Sequence, residues 1–377
     1  MLDGGVRIRI AFLTDIATPY MAAVLDALAR RAHLTAVFCS HTATRGMDWQ
    51  LEMSFAHEVV GGVTIRRRRR DATDFYLSPR IVSALHRARP EAVISGGFSI
   101  PSSYAALYCQ VRRIPLLIHS DGTAASEAGI GRAQLAARRA LRLLAWGAVA
   151  NSAPAAARFA ELGFPPRRVL RAAHAAQVQP LWRVAADRRY GSQGPLRLLS
   201  VGRLIARKGL EPLLRAVAQA RRDGVDVELT VAGSGPDGQR LRALAAELAV
   251  PVRWLGFVDQ PGLARVYADA DAFAFPTLAG DPFGIVVLEA AAAGLALIAS
   301  PRAGATEDLL TDGANALVVD PDDTGEMAAA IARLAGDPQL RRTLGLAASS
   351  ATRERTPAAC AAGYLSAVQA ALASRSE

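Results

Sequence analysis

Lysine is almost absent from this sequence of 377 residues. Of its 44 Lys and Arg residues only Lys208 is a lysine, so arginine carries nearly all of the positive charge. A lysine ammonium is a compact charge that suits a single phosphate oxygen, whereas arginine presents a wide planar fork. The single lysine is therefore either an accident of composition or a cation directed at a phosphate.

Cysteine is scarce, and long apolar runs are interrupted. The three cysteines are far apart and lack metal-ligand spacing, which favours a reduced, cytoplasmic protein. The longest apolar run, 283–299, contains Glu289 and Gly294, so it predicts a helix that stops at the glycine and then a strand, rather than a membrane span. The apolar run near the N-terminus is cut by Asp15, which predicts a first buried strand and no signal segment.

Aromatic residues make up only 6% of the chain, while its formal net charge is +10. The charge favours anionic partners, but binding of nucleic acid would need aromatic side chains among the arginines for stacking on bases. We therefore expect a phosphorylated substrate and no nucleic-acid partner. The arginines at 66–70 and the amphipathic stretch 132–146 are more typical of a solvated surface, and peripheral contact with the inner face of an anionic membrane is the alternative.

Short apolar segments alternate with helical stretches along most of the chain, which predicts parallel sheets built from βαβ units. The predicted strands are 8–13, 34–39, 92–95, 116–119, 148–151, 196–201, 228–232, 252–255, 272–275, 296–299 and 316–319. A polar segment at 182–195 predicts an interdomain linker. We expect an α/β protein with two doubly wound, Rossmann-like domains over 1–185 and 195–355, and a C-terminal helix over 356–377 that packs back towards the first. Ligands of such folds bind at the carboxyl ends of strands, so a cleft between the two domains is the expected site.

The segment VGRLIARKGL surrounds the lone lysine. An apolar strand ends at Val201 and is followed by Gly202, a polar loop and a predicted helix, so backbone amides face the loop where the helix begins. Arg203 and Lys208 add two cations to the same loop, which predicts a site for a diphosphate. Arg207 is expected to face solvent without a role.

A second group of polar residues lies in FPTLAGDPFGIVVLEAAAAG. The first amides of the predicted helix, near Phe283, Gly284 and Ile285, are expected to face a phosphate or a sugar hydroxyl. Asp281 and Glu289 cannot bind phosphate themselves, so they are expected to accept hydrogen bonds from hydroxyl groups. The structural alternative is that Asp281 caps the helix and Glu289 lies on the surface. However, Glu289 stands in an apolar run, where a buried carboxylate needs a partner.

Several motifs occur in the order found in one known family: VGRL…RKG, VAGSGP, WLGFV, the pair Asp281 and Glu289 eight residues apart, EAAAAG and VVDPDD. In these the chain resembles the family 4 retaining glycosyltransferases, whose architecture is GT-B. The resemblance implies two Rossmann-like domains facing each other across a cleft. It also implies transfer of a hexose from a UDP- or GDP-linked sugar with retention of configuration, without a metal or other cofactor. The acceptor would be a glycan, a lipid-linked glycan or a small metabolite.

The resemblance also implies roles for single residues. Arg203 and Lys208, with Gly202 beside them, would bind the diphosphate and stabilise it as it leaves, and Glu289 would bind the ribose. Two loops would make the remaining contacts. The residues near the donor sugar would be Asp281, Phe283, Gly284 and Ile285. The residues near the base would be Gly256, Phe257 and Val258. Asp281 stands where the family usually has Glu, which shortens its reach by one methylene.

The N-terminal half resembles the family more loosely. PLLIHSDG resembles the family strand that ends in a histidine beside the donor sugar, which makes His119 a candidate catalytic residue. A histidine at a strand end is otherwise often structural. Loops near Tyr20, Ser99 and Asp121 offer hydroxyl, carboxylate and aromatic groups suited to an acceptor sugar or polyol.

Other readings of the sequence stay open. GSGPDG at 233–238 has the GxGxxG spacing of a dinucleotide site, with Asp259 about twenty residues on. It follows the second strand of its domain rather than the first, which argues against NAD. A GT-B-like nucleotide-sugar epimerase or phosphorylase is a further alternative. The acid pairs at 269–271 and 320–322 are better explained as caps and turns than as metal ligands.

Overall fold

The structure is a computed structural model that describes residues 7–40, 51–65, 75–191 and 194–374. The arginine run 66–70 lies outside the described residues. The chain divides into two units, one formed by Met1–Ala175 with Pro357–Glu377 and the other by Ala176–Thr356.

The first unit is built around a parallel sheet. In its described part the strands are β1 (Arg9–Ile16), β2 (His33–Ser40), β3 (Ala56–Val59), β4 (Val63–Ile65), β5 (Phe75–Leu77), β6 (Ala92–Gly96), β7 (Leu116–Ser120), β8 (Gly147–Ala150) and β9 (Val169–Arg171). The sheet has the order β3-β2-β1-β6-β7-β8-β9, while β4 and β5 form a separate antiparallel pair. Its central strands are apolar on both faces, as buried parallel strands must be, with Phe12 placed beside Ala36 and Ile94 in register.

Helices cover both faces of this sheet. They are α1 (Pro19–Ala29), α2 (Ile81–Ala88), α3 (Ile100–Arg112), α4 (Arg132–Leu144) and α5 (Ala153–Glu161). The chain returns to this unit at its end, where helix Pro357–Ala373 packs against α1 and buries Tyr364 edge-on to Phe12, with ring centroids 5.3 Å apart.

The second unit repeats the plan with a parallel sheet in the order β12-β11-β10-β13-β14-β15. Its described elements are α6 (Gln179–Asp187), β10 (Leu196–Val201), α7 (Leu210–Arg222), β11 (Val227–Ala232), α8 (Gly238–Glu247), β12 (Val252–Gly256), α9 (Gln260–Asp269), β13 (Ala272–Phe275), α10 (Ile285–Ala292), β14 (Ala296–Ala299), α11 (Gly304–Leu309), β15 (Leu317–Val318), α12 (Thr324–Gly336) and α13 (Pro338–Ala351). The helix of the first unit that follows them is α14 (Pro357–Ala373).

The predicted strands are all present, with ends within three residues of the expected ones. The predicted α/β class with two doubly wound sheets is therefore confirmed. Strands β3, β4, β5 and β9 were not predicted. Each has only three or four residues and is at least partly exposed, so it carries little of the apolar pattern that marks a buried strand.

The expected boundary and linker are wrong. Residues 176–185 belong to the second unit, and the segment expected to be a linker contains most of α6. Val178 and Leu181 are buried in the same core as Phe273. Arg188 then donates hydrogen bonds to the carbonyl oxygens of Tyr267, at 2.7 Å, and Ala293, at 2.9 Å. The segment was predicted as a linker because many of its residues are polar, but it contains most of a short helix whose apolar side packs on the second unit.

The apolar run 283–299 folds as predicted. Helix α10 ends before Gly294, which has a φ of 72°, and β14 follows. No helix in the described part of the chain is long and apolar enough to cross a membrane.

Candidate active site

The candidate site of the second unit lies where the strand order of its sheet reverses. The chain leaves β10 towards β11 and β12 on one side, and later resumes at β13 on the other side of β10. At such a point folds of this class commonly bind ligands in a crevice at the carboxyl edge of the sheet. The two motifs singled out from the sequence follow Val201 and Phe275, the last residues of these strands.

The loop after β10 packs directly on the loop after β13. Gly209 has a φ of 71°, and a Cβ there would lie 1.7 Å from the carbonyl oxygen of Pro276, so only glycine fits. The carbonyl oxygen of Arg207 accepts hydrogen bonds from the amide of Leu278, at 2.8 Å, and from the hydroxyl of Thr277, at 2.9 Å. These contacts bring the two motifs together.

Lys208 is held between the two loops, with its side chain only 18% exposed. Its Nζ pairs with Oδ2 of Asp281 and lies 4.8 Å from the centre of the Phe275 ring. Burial lowers the pKa of Lys208, and the charges of Arg207 and Arg203 lower it further, while Asp281 opposes the shift. Nη1 of Arg207 lies 3.2 Å from Asp281, so the expectation that Arg207 is a solvent-facing bystander is wrong.

Two cations therefore pair with one carboxylate. Arg207 and Lys208 both contact Asp281, and the positive charge of Arg203 acts on Lys208 nearby. Arg203 and Lys208 also line, together with Gly202, a cavity of about 10 Å³ beside β10. A group of cations at the carboxyl edge of a sheet suits a ligand with two or more negative charges.

Asp281 does not cap the helix that follows it. The N-cap of α10 is Gly284, whose φ is 89° and whose added Cβ would lie 2.9 Å from the Phe275 ring. The backbone of Asp281 instead pairs with the segment after β14, where its amide donates to Arg302 and its carbonyl oxygen accepts from Gly304, both at 3.0 Å. This pairing, rather than capping, fixes the loop that carries the carboxylate.

The start of α10 presents backbone rather than side chains. The ring of Phe283 is buried in the core, and Ile285 packs against the same core. A ligand at this helix end would therefore meet amides near Gly284 and Ile285, which lack intrahelical acceptors and lie at the positive end of the helix dipole. The sequence prediction for these three residues was based on the same amides.

Glu289 is 4% exposed, so the alternative of a surface glutamate is wrong. Gln260 Nε2 donates to Oε1 at 3.0 Å, and the hydroxyl of Tyr267 donates to Oε2 at 2.9 Å. Burial raises the pKa of Glu289, while these two hydrogen bonds oppose the increase. The sequence indicated that this carboxylate needs a partner, but not which one, because both donors lie on α9, more than twenty residues away. The ribose contact of Glu289 stays a prediction.

Residues 256–258 begin at the last residue of β12, a strand two positions away from β10 in the sheet. Gly256 has a φ of 70°, and its carbonyl oxygen accepts a hydrogen bond from the amide of Gly233 at 2.6 Å. Phe257 is half exposed, and Val258 packs against the core. An exposed aromatic ring at the carboxyl edge is compatible with the expected base contact, which stays a prediction.

The glycines of GSGPDG serve loop packing. An added Cβ at Gly233 would lie 1.9 Å from the carbonyl oxygen of Gly202, and one at Gly235 would lie 2.4 Å from that of Leu204. Asp259, the acid that completes the dinucleotide spacing, caps α9 by accepting a hydrogen bond from a backbone amide at 2.9 Å. Packing and capping thus account for the pattern without a dinucleotide.

His119 lies at the carboxyl end of β7 in the first unit, in a cluster of polar side chains. Its Nδ1 is 2.8 Å from the hydroxyl of Tyr364, which also receives a hydrogen bond from Asn151 at 3.2 Å. Burial lowers the pKa of His119 to about 4; His174 lowers it further, and Asp121 opposes the shift. His119 is therefore a neutral imidazole at physiological pH. Tyr364 and Asn151 were not predicted as its neighbours from the sequence.

Two predicted acceptor residues adjoin the same cluster through His174. Nε2 of His174 lies 3.7 Å from Oδ2 of Asp121, and the ring of Tyr20 meets the His174 ring edge-on with centroids 6.4 Å apart. Ser99 has a different role, because it is the N-cap of α3 and its hydroxyl accepts a hydrogen bond from the amide of Ser102 at 3.4 Å. This capping accounts for Ser99 without a ligand, and the acceptor contacts of all three residues stay predictions.

Within the described ranges, no group of three or more His, Cys, Asp or Glu side chains is placed to hold a metal ion. The expectation of metal-independent chemistry stays a prediction.

Comparison with known proteins identifies the second unit. Residues 195–337 match the family model of "Glycosyl transferases group 1". This segment is a group 1 glycosyltransferase domain. The chain is 41% identical over 135 residues to a phosphatidyl-myo-inositol mannosyltransferase of Mycolicibacterium smegmatis, an alignment that covers 36% of this chain and 34% of that protein. It is 34% identical over 158 residues to the alpha-D-kanosaminyltransferase of Streptomyces kanamyceticus, covering 41% and 40%. These alignments thus span well under half of each relative.

Solved glycosyltransferase structures match nearly the whole chain. HepE of Anabaena, in complex with UDP and glucose, superposes with a TM-score of 0.75 at 19% identity, covering 96% of this chain and 99% of that one. The sucrose-phosphate synthase of Thermosynechococcus elongatus gives a TM-score of 0.74 at 20% identity, covering 98% and 100%. The predicted GT-B fold and the resemblance to group 1 glycosyltransferases are confirmed, and the comparisons favour neither an epimerase, a phosphorylase nor a nucleic-acid-binding protein. Retention of configuration stays a prediction.

Proposed function

We propose that this protein is a retaining glycosyltransferase that moves a hexose from a nucleoside diphosphate sugar to a hydroxyl group of a lipid-linked acceptor. The observation that supports this most is the group of cations in the loop after β10, where Lys208 and Arg207 contact Asp281 and the charge of Arg203 acts on Lys208. A diphosphate is the kind of anion that such cations bind. Departure of the sugar adds further negative charge to the diphosphate, so the same cations stabilise the transition state more than the bound substrate.

In this mechanism the reaction needs no nucleophile from the protein. Arg203 and Lys208 bind the diphosphate while the bond between the sugar and the leaving oxygen breaks. The acceptor hydroxyl attacks from the same face, and its proton passes to the departing phosphate oxygen. Binding of the diphosphate draws Lys208 away from Asp281, which frees that carboxylate to accept a hydrogen bond from a sugar hydroxyl. Arginine and lysine supply the charge neutralisation, so the scheme requires no metal.

The donor that we favour is a GDP-linked hexose such as GDP-mannose. The family-model match lies in the second unit, which contains the candidate diphosphate site. Relatives include a GDP-mannose-dependent alpha-(1-6)-phosphatidylinositol monomannoside mannosyltransferase of M. smegmatis, 34% identical over 167 residues, covering 42% of this chain and 44% of that protein. UDP-linked glucose is the alternative, since a HepE complex contains UDP-glucose.

A lipid-linked acceptor agrees with an apolar and basic surface on the first unit. Helices α3 and α4 are joined by a hydrogen bond from Gln110 to Leu144 at 2.9 Å. They expose Leu107 to 60%, Val111 to 81% and Leu143 to 70%. The same helices and the turn after α3 expose four arginines: Arg112, Arg113, Arg132 and Arg139. Exposed aliphatic side chains beside arginines suit the headgroup region of an anionic membrane, so we propose peripheral binding of the inner membrane face through this surface.

The donor site is tested by thermal shift with GDP, UDP, dTDP, ADP and NAD on the wild type and on Lys208→Ala. A ligand at a hundred times its Kd adds about 2.7 kcal/mol to the free energy of unfolding. We expect stabilisation by GDP that is lost in the variant. Stabilisation by NAD alone, or by a nucleoside diphosphate equally in both proteins, would contradict the proposed site.

Membrane binding is tested by sedimentation with vesicles of anionic and of zwitterionic phospholipid. We expect binding to the anionic vesicles only, and its loss in the double variant Leu107→Ser and Val111→Ser. Leu346→Ser is the matched control, because Leu346 is a 46% exposed leucine on α13 of the second unit. Equal binding by both variants would assign the interaction elsewhere.

A further inference from the structure

We infer that Tyr364 and Asn151 are positioning residues that fix His119 as the tautomer protonated at Nε2. His119 then offers a hydrogen-bond donor to a ligand rather than a base. This inference rests on the proposed function only where it assigns His119 to the sugar-transfer site. The hydrogen-bond chain itself runs entirely within the first unit and begins at a backbone carbonyl group.

The orientation of the Asn151 amide is set by the backbone. Nδ2 of Asn151 lies 2.7 Å from the carbonyl oxygen of Ala172 and 3.2 Å from the hydroxyl oxygen of Tyr364. If the amide were turned over, Oδ1 would face the Ala172 carbonyl oxygen at the same distance, and two acceptors would repel each other. Asn151 therefore donates one hydrogen to Ala172 and the other to Tyr364.

The hydroxyl hydrogen of Tyr364 then has one acceptor. Within the described residues, Tyr364 Oη has hydrogen-bond contacts with Asn151, which donates to it, and with Nδ1 of His119 at 2.8 Å. Tyr364 is completely buried, and burial raises its pKa well above the usual value, so it keeps its proton. A buried hydroxyl donor left without an acceptor is costly, so the hydrogen goes to His119 Nδ1. Nδ1 is then the lone-pair nitrogen, and a neutral ring carries its hydrogen on Nε2.

The tautomer of His119 determines which hydrogen bonds its ring can make to a ligand. Nε2 makes no hydrogen bond to any residue in the described part of the chain, so it is the ring nitrogen left for a ligand. A neutral imidazole with hydrogen on Nε2 can donate to a sugar hydroxyl or to an oxygen that gains negative charge, but it cannot take a proton there. The C-terminal helix thus contributes to the chemistry of this unit through Tyr364, 245 residues away in the chain.

The test is nitrogen-15 NMR of the six histidines in ligand-free, full-length protein, with His119 assigned from His119→Gln. We expect protonated Nε2 and an Nδ1 lone pair that accepts a hydrogen bond. In Tyr364→Phe the Nδ1 resonance should move to that of a lone pair without a donor. Tyr108→Phe is the matched control, because it removes a buried hydroxyl that donates to the carbonyl oxygen of Leu85 at 3.1 Å, away from His119.

Protonated Nδ1 in the wild type would overturn the inference without any variant, and so would an unchanged Nδ1 resonance in folded Tyr364→Phe. Sugar transfer is the second measurement. Loss of one hydrogen bond to the ligand-binding imidazole should lower kcat about tenfold in Tyr364→Phe and leave Tyr108→Phe unaffected. If no protein transfers sugar from any donor, the proposed function fails while the tautomer result stands by itself. An unchanged kcat in Tyr364→Phe would remove its positioning role.

Discussion

Asp281 provides the sharpest test of the candidate diphosphate site, because its two expected roles respond oppositely to one substitution. In the ligand-free structure its carboxylate forms ion pairs with Lys208 and Arg207. In the proposed reaction it accepts a hydrogen bond from the donor sugar. Asp281→Asn removes one negative charge with little change in shape. It should therefore strengthen the binding of a nucleoside diphosphate, which carries no donor sugar for Asp281 to contact. It should weaken sugar transfer, which needs that contact.

The size of the gain follows from the charges. The substitution removes the negative charge that Lys208 and Arg207 contact and leaves both of their positive charges in place. Removal of a unit negative charge about 6 Å from a phosphate changes the interaction by about 0.7 kcal/mol at the dielectric constant of water and by about 3 kcal/mol at an effective value of 20. The Kd of GDP or UDP should then fall by between about threefold and a hundredfold. The gain should shrink at high salt.

Calorimetric titration of GDP and UDP at low and high salt measures this effect. Glu228→Gln is the matched control, because it makes the same charge change on an exposed side chain at the start of β11, near the opposite edge of the sheet. We expect its Kd to stay within about twofold of the wild type, since a distant exposed charge is screened. Weaker nucleotide binding by folded Asp281→Asn would refute the view that this carboxylate competes with the diphosphate for Lys208.

Two further predictions concern stability. Gly209→Ala should lower the free energy of unfolding by at least about 2 kcal/mol in urea denaturation, because the new Cβ adds a clash with Pro276 to the strain of a left-handed backbone. Gly313→Ala is the control, because Gly313 has a φ of 69° and open space around it, and it should cost only about 1 kcal/mol. Equal losses in the two variants would contradict the clash. Burial raises the pKa of Asp15 from 3.8 to about 6, so the folded protein holds this proton more tightly and loses stability as the pH rises through that window. Asp15→Asn should therefore stabilise the protein at pH 7 by up to about 3 kcal/mol. Burial lowers the pKa of His119 from 6.5 to about 4, so the unfolded protein binds this proton more tightly between these pH values. The stability of Asp15→Asn should therefore fall as the pH is lowered from 6.5 to 4. In the wild type the opposite effect of Asp15 offsets this fall. A variant less stable than the wild type at pH 7 would show that ionised Asp15 has a partner that burial alone does not reveal.

The composition of the chain and the order of its residues determined the architecture and the position of the candidate diphosphate site. Buried parallel strands must be apolar, so their pattern predicted all central strands of both sheets. The single lysine and the family motifs pointed to the two loops that meet at Lys208 and Asp281. Local signals of this kind are visible because strands, turns and helix ends depend mainly on residues close in sequence.

Only the tertiary structure decided which side chains form ion pairs or hydrogen bonds with each other. Arg207 turned out to bind Asp281 because Gly209 lets its loop pack against the next one. Glu289 receives its hydrogen bonds from another helix. His119 meets a tyrosine from the far end of the chain, since α14 returns to the first unit. Pairings across such separations leave no local pattern, because they are fixed by how the helices and loops pack and not by the residues that flank each partner.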